Sequence, residues 1–236
     1  MKQLLLVMIL LFYGSIIGFS QTRIGVSTSV FQSTLSGIRT DLPPGNGYSG
    51  AVYKTVDKTY GFGLSGLLQT PLYNFLELEY GLGYFYDSER IHFPFTDPFT
   101  FVTDTATLNI HRHYLQVPLN LNLNLQPKWM NNQFIIKGGL IPMLSISEKD
   151  NYQEVIFQEI LLSPNKQNRI LLNSNLSIGM RKELQKGTLE ISVFQSLELT
   201  PFIKEGGWGF FKDLHTARNN QIGIQINYFF KTLKNK

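Results

Sequence analysis

The 236-residue chain contains no cysteine. That excludes a disulfide framework, a thiolate metal site and a lipid-anchored N-terminal cysteine. It is also short of charge. Asp, Glu, Lys and Arg make up 16% of the residues, where soluble domains carry about a quarter. The formal net charge is only +4 and no basic run occurs, which argues against nucleic acid as a partner. Mean hydropathy is −0.05. Past the first twenty residues no apolar run is long enough for a spanning helix, so a helical membrane protein is excluded. Motifs of chemistry are missing too. There is no GxSxG elbow and no phosphate-cradling glycine loop, and Asp97, Asp104 and Asp150 lack the spacing of a calcium loop. His215 offers no convincing serine–histidine dyad. His111 and His113 share one face of a strand start, but no third ligand accompanies them. No catalytic residue, cofactor or metal is therefore expected.

What is present begins with a leader. Lys2 supplies a positive start, residues 4–17 are almost uniformly apolar, and Gly18-Phe19-Ser20 forms a small-x-small site before Gln21. This predicts a secretory signal peptide over residues 1–20, with one domain over 21–236. Loss of the leader removes Lys2 and lowers the formal charge by one.

The remainder alternates. In "YLQVPLNLNLNLQ", residues 114–126, Leu115, Val117, Leu119, Leu121, Leu123 and Leu125 share one parity, and Gln116, Pro118, Asn120, Asn122 and Asn124 share the other. Strand side chains point alternately to opposite faces, so one face is aliphatic and the other amide. Seven further segments repeat this period. They centre on Ile24–Val30, Tyr60–Leu68, Leu76–Tyr86, Ile136–Ile146, Ile170–Met180, Leu189–Leu199 and Ile222–Phe230. Their connections run long, short, long, short, the pattern of bacterial outer-membrane barrels. A soluble barrel or sandwich shares the alternation but has no reason to sort its loops by parity. The expected fold is all-β: an eight-stranded antiparallel up-and-down transmembrane barrel. Tyr60, Phe62, Tyr84, Tyr86 and Tyr114 would lie near the extracellular ends, and Phe75, Trp129, Phe134, Tyr228 and Phe230 near the periplasmic ends.

Eight strands enclose an interior that side chains fill, which argues against a diffusion pore and for a polar plug. Arg23, Glu77, Glu79, Lys137, Arg181 and Glu190 all fall in the periplasmic half, three of each sign, and are expected to form an ion-pair cluster. With the turn between the second and third strands centred near Leu72, Gly61 faces Gly83 and Gly63 faces Gly81. That would leave a void for tight curvature, a tucked loop or a small hydrophobic ligand. The loops "HFPFTDPFTF" and "GGWGFF" carry Phe93, Phe95, Phe99, Phe101, Trp208, Phe210 and Phe211. Such clusters act as lids, as leaflet contacts or as partner surfaces.

"YLQVPLNLNLNL", "FIIKGGLIPMLSIS", "LLNSNLSIGM" and the closing "NQIGIQINYFF" resemble the PorT-like outer-membrane β-barrel proteins of Bacteroidota. The resemblance rests on Tyr114 to Leu119, on Gly138, Gly139 and Pro142, and on Tyr228 to Phe230. It implies a location in the bacterial outer membrane, contact with outer-membrane lipid and a last strand read by the outer-membrane assembly machinery. It also implies an accessory role beside other membrane proteins in type IX protein secretion or gliding.

The leader is directly testable. Intact-mass measurement of the exported protein is expected to find Gln21 as its first residue; retention of residues 1–20 would make the leader an anchor.

Overall fold

A computed structural model describes residues 22–36, 55–96, 103–126, 132–153, 170–200 and 218–231. The leader lies outside them. Ten strands occur: β1 (Arg23–Ser36), β2 (Thr55–Asp57), β3 (Thr59–Tyr73), β4 (Leu76–Thr96), β5 (Thr103–Gln116), β6 (Leu119–Leu125), β7 (Gln133–Gln153), β8 (Ile170–Glu183), β9 (Gly187–Glu198) and β10 (Arg218–Phe230). They form eight barrel staves. Lys58 separates β2 from β3, and Val117-Pro118 separates β5 from β6. Proline lacks the amide needed for a continuous ladder. The stave continues through the gap all the same, because Val117 N donates to Pro142 O at 2.9 Å and Gly81 N donates to Pro118 O at 3.2 Å.

Every neighbouring pair of staves is antiparallel, and β1 pairs with β10. The sheet is therefore a closed eight-stranded barrel with no helix among the described residues. Among the described residues closure pairs each stave on both sides through the aliphatic belt, the state a strand protein needs in a medium without water.

Alternation has an inside-out sense. The outward positions include Ile24, Val26, Leu64, Leu82, Leu121, Ile178, Val193 and Ile224, all exposed. The inward positions include Glu79, Asn122, Lys137, Arg181 and Glu190, all buried. Two aromatic levels bound the aliphatic surface on β3 and β4: Tyr73 and Phe75 at the tight-turn end, and Phe62, Tyr84 and Tyr86 higher up. The levels stand roughly ten residues apart along β4. At about 3.3 Å per residue and a tilt near 40°, that is roughly 25 Å of height, the span of an outer-membrane apolar band.

Three details depart from the sequence expectations. Tyr114 points inward and is buried, because the even positions of β5 and β6 face the lumen. The connection between the third and fourth staves is much shorter than expected, since β4 runs to Thr96 and β5 begins at Thr103. And β7 carries a bulge opposite His113 and Tyr114, which pair with Ser147 and Ser145, so Ile146 is the extra residue. A bulge sharpens local twist and resets the facing pattern beyond it.

An arginine in place of Leu121, an outward residue of β6 that is 50% exposed, should cost about 2–4 kcal/mol of folding stability in lipid vesicles. Urea titration of vesicle-inserted protein reads this, and a cost near zero would mean that water, not hydrocarbon, bathes that face.

Candidate functional site: the charged interior and its outer wall

At the tight-turn end, the six charged residues singled out in the sequence converge inside the barrel. Glu77 receives Arg23 at 2.6 Å and Arg181 through two nitrogens at 3.1 and 2.5 Å. Glu190 receives Arg181 Nε at 2.8 Å and Lys137 Nζ at 2.7 Å. Lys137 also reaches Glu79 at 2.7 Å. Neutral donors complete the layer. Asn120 and Asn122 bond Glu79 at 3.1 and 3.2 Å, and Asn227 and Gln69 bond Glu190 at 3.1 and 3.4 Å. Three cations and three carboxylates alternate, so no charge in the layer lacks an opposite neighbour. That is how a dry interior tolerates charges at all, since removing one partner strands the other.

Above this floor lies an apolar layer rather than more polar plug. Phe31, Phe85, Tyr114, Met143, Leu171 and Phe194 pack together. Phe31 and Phe85 stack at 4.7 Å with planes 7° apart, and Phe194 meets Phe31 edge-on at 6.3 Å. A small cavity of about 40 Å³ beside Phe85, Gln116, Asn173 and Gln225 has room for a few waters at most.

The expected glycine void is absent, and the register behind it is corrected. Gly63 pairs with Phe85, Ser65 with Gly83 and Leu67 with Gly81, because the turn lies at Asn74-Phe75 and not at Leu72. A Cβ on Gly61 would meet the Phe31 ring at 2.3 Å, and one on Gly81 would meet Gly66 O at 2.2 Å. The glycines admit the stacked phenylalanines and close strand approach. A lumenal site for a hydrophobic ligand at this position is thereby lost.

A second charged layer lies at the loop-side end, and the sequence reading missed it. Asp87, Glu89, Arg112 and Glu198 are all buried. Arg112 contacts Glu89, lies 3.8 Å from Asp87 and stands 5.9 Å over the Tyr114 ring. Gln221 Nε2 bonds Asp87 at 3.2 Å, Asn219 Nδ2 also bonds it, and the backbone amide of Asn219 donates to Glu198 at 3.0 Å. The signal was available. Asp87 and Glu89 continue the inward parity of Glu77 and Glu79, Arg112 that of Gln116, and Glu198 that of Glu190. No hydrophobic alternation accompanies them, because residues 87–89 and 112 lie past the apolar segments that mark the strands in sequence.

The remaining expected residues divide. Phe93 and Phe95 lie on β4 rather than in a loop. Phe99, Phe101, Trp208, Phe210 and Phe211 lie outside the described residues. His111 and His113 face outward on β5 and pair with tyrosines rather than with each other. His111 Nδ1 is 2.9 Å from the Tyr86 hydroxyl, and His113 Nδ1 is 2.5 Å from that of Tyr84. Among the described residues no group of three or more His, Cys, Asp or Glu side chains is arranged to hold a metal.

No family model matches the chain. Over 129 residues, 47% of this chain, it is 31% identical to the intermembrane lipid transfer protein vps13B of Dictyostelium discoideum; the match spans 2% of that protein's length. Solved structures similar to it at 10% identity include the outer membrane protein OprG of Pseudomonas aeruginosa, with TM-score 0.44, covering 91% of this chain and 99% of that one. The N-terminal β-barrel domain of Pseudomonas aeruginosa OprF follows at 10% identity, with TM-score 0.36 and coverage of 89% and 100%. The attachment invasion locus protein Ail of Yersinia pestis, also 10% identical, has TM-score 0.34 and coverage of 89% and 99%.

Replacing Glu190 by Gln removes the carboxylate shared by Lys137 and Arg181 and should cost about 3–5 kcal/mol. Glu183→Gln, on an exposed rim side chain, should stay within about 0.5 kcal/mol of wild type. Equilibrium urea unfolding of both variants checks the contrast.

Proposed function

We propose that this chain is a small, non-porin barrel of the bacterial outer membrane that works through its loops and outer surface rather than through its lumen. One observation carries the reading: a closed barrel wears its aliphatic residues outside while burying Glu79, Lys137, Arg181 and Glu190 within. In water this arrangement would be inverted. In hydrocarbon, with about 25 Å between its aromatic levels, it matches the medium.

A structural or accessory role follows from how the interior is used. Two layers of ion pairs and amides with a stacked aromatic layer between them occupy the space through which a solute would pass. The side chains that would do acid–base work, Glu77 and Glu79, are bound to Arg23, Arg181 and Lys137; Glu77 lines a polar recess of about 170 Å³ at the tight-turn mouth, where Arg23 and Arg181 hold its carboxylate, and Glu79 is fully buried. The chain therefore acts as a scaffold, with outer-membrane lipid around it and membrane-protein partners at its loops. Its delivery would use the predicted signal peptide and the outer-membrane assembly machinery. The PorT-like resemblance points to an accessory of type IX secretion or gliding as the finer role.

Reconstituted in planar bilayers, the protein should give no steps of open-pore conductance; ohmic steps like those of a porin would overturn the closed-lumen reading. Deletion in the source bacterium, scored by export of secreted cargo and by gliding, tests the finer role, and unchanged export and motility would remove it.

A further inference from the structure

The outer wall formed by β3, β4 and β5 differs from the rest of the belt. Phe62, Tyr84, Tyr86, His111 and His113 form a continuous ring patch, with Phe62 5.4 Å from Tyr86 and Tyr86 5.2 Å from His113 between centroids. On β8, β9 and β10 the outward positions toward the loop side include Ile170, Leu172, Leu197, Arg218, Asn220 and Ile222, and no ring occurs there among the described residues. A general interfacial girdle would not be confined to one sector.

The chemistry of this patch is also unusual for a lipid-facing wall. Each imidazole has a tyrosine hydroxyl at Nδ1. When the phenol donates, the neutral ring carries its own proton on Nε2 and presents a donor at the opposite edge. One step further from the apolar band stands Arg90, whose side chain is 55% exposed. It is a diagonal cross-strand neighbour of His111, since Ser88 pairs with His111 and Arg90 pairs with Asn109. Arg90 Nε bonds Asn109 at 2.9 Å, and Asp57 lies 3.9 Å from one terminal nitrogen. From Tyr86 to Arg90 the strand climbs about 10 Å, which takes the wall from the edge of hydrocarbon into the headgroup zone.

We propose that this wall binds the phosphate of an anionic lipid headgroup in the loop-side leaflet, with His111, His113 and Arg90 as donors and the ring patch against the acyl chains. A planar guanidinium and N–H donors suit phosphate oxygens. Asp57 pairs with both Arg90, at 3.9 Å, and His92, at 2.9 Å, so it offsets part of the guanidinium charge, and recognition rests on the directional N–H donors as well as on charge. The proposal rests on the membrane-spanning reading.

Two measurements keep the two readings apart. Insertion of purified protein into pure phosphatidylcholine vesicles, read by heat-modifiable mobility, tests the barrel alone. Native mass spectrometry from neutral detergent, with phosphatidic acid and phosphatidylcholine in competition, tests the site. Wild type should retain phosphatidic acid over phosphatidylcholine by about tenfold, the worth of one charge-assisted hydrogen bond. His111→Gln with His113→Gln, and separately Arg90→Gln, should bring that ratio toward parity. Tyr84→Phe with Tyr86→Phe keeps the rings, frees the imidazoles and should give a partial loss, so the site remains testable if the histidine double variant does not insert. A wild-type ratio near parity, variants that retain the full preference, or a photo-crosslinker at position 109 that captures protein but no lipid would each overturn it.

Discussion

Hydrogen bonding between residues 25–36 of β1 and 218–229 of β10 joins the two ends of the sheet, and the rest of the molecule depends on that seam. Backbone amides in hydrocarbon have no water to turn to, so each unpaired edge would cost several kcal/mol per group. Once the first and last strands pair, every stave has two neighbours and the edges disappear. Closure in turn separates the side chains into an outside and an inside. An aliphatic residue can then face lipid while its neighbour in sequence faces a sealed interior.

That interior imposes its own condition. A charge placed there has only other side chains for solvent, and the lower layer meets the condition by strict pairing. Glu77 takes two arginines, Glu190 takes Arg181 and Lys137, and Glu79 takes Lys137 with two asparagines. These contacts join β1, β4, β6, β7, β8 and β9, so the ion pairs tie together staves far apart in sequence. The stacked Phe31 and Phe85 do the same at mid-height, and the glycine at position 61 is what lets that stack approach the wall. A lumen held this way is a structural core turned polar. Function then has to be carried by surfaces that lipid or partners can reach.

The outer wall is accordingly not uniform. Most of it is a hydrocarbon-compatible belt of Leu, Ile and Val, which any bilayer would accept. The sector around Tyr84, Tyr86, His111 and His113 carries directional donors at the depth where a leaflet changes from acyl chain to headgroup. Directional donors set beside aromatic rings at that depth are what the proposed lipid preference rests on.

Much of this was legible in the chain. Strict alternation is a local property, fixed by the two-residue repeat of a strand, so eight staves, their facing parity and the convergence of Glu77, Glu79, Lys137, Arg181 and Glu190 could be read from spacing. Register across a turn is not local. A shift of the tight turn from Leu72 to Asn74-Phe75 moved Gly81 and Gly83 away from their expected partners and replaced a supposed void with Phe85. The inward face of Tyr114 follows from the even parity it shares with Gln116 and Asn120, but the second charged layer was hidden for a related reason. β4 and β5 run well past the apolar band, where no hydrophobic alternation marks them, so Asp87, Glu89 and Arg112 looked like loop residues. Parity along each strand was thus set by sequence, whereas cross-strand register, strand ends beyond the lipid and the contents of the lumen were decided by closure, which brings together residues more than a hundred positions apart.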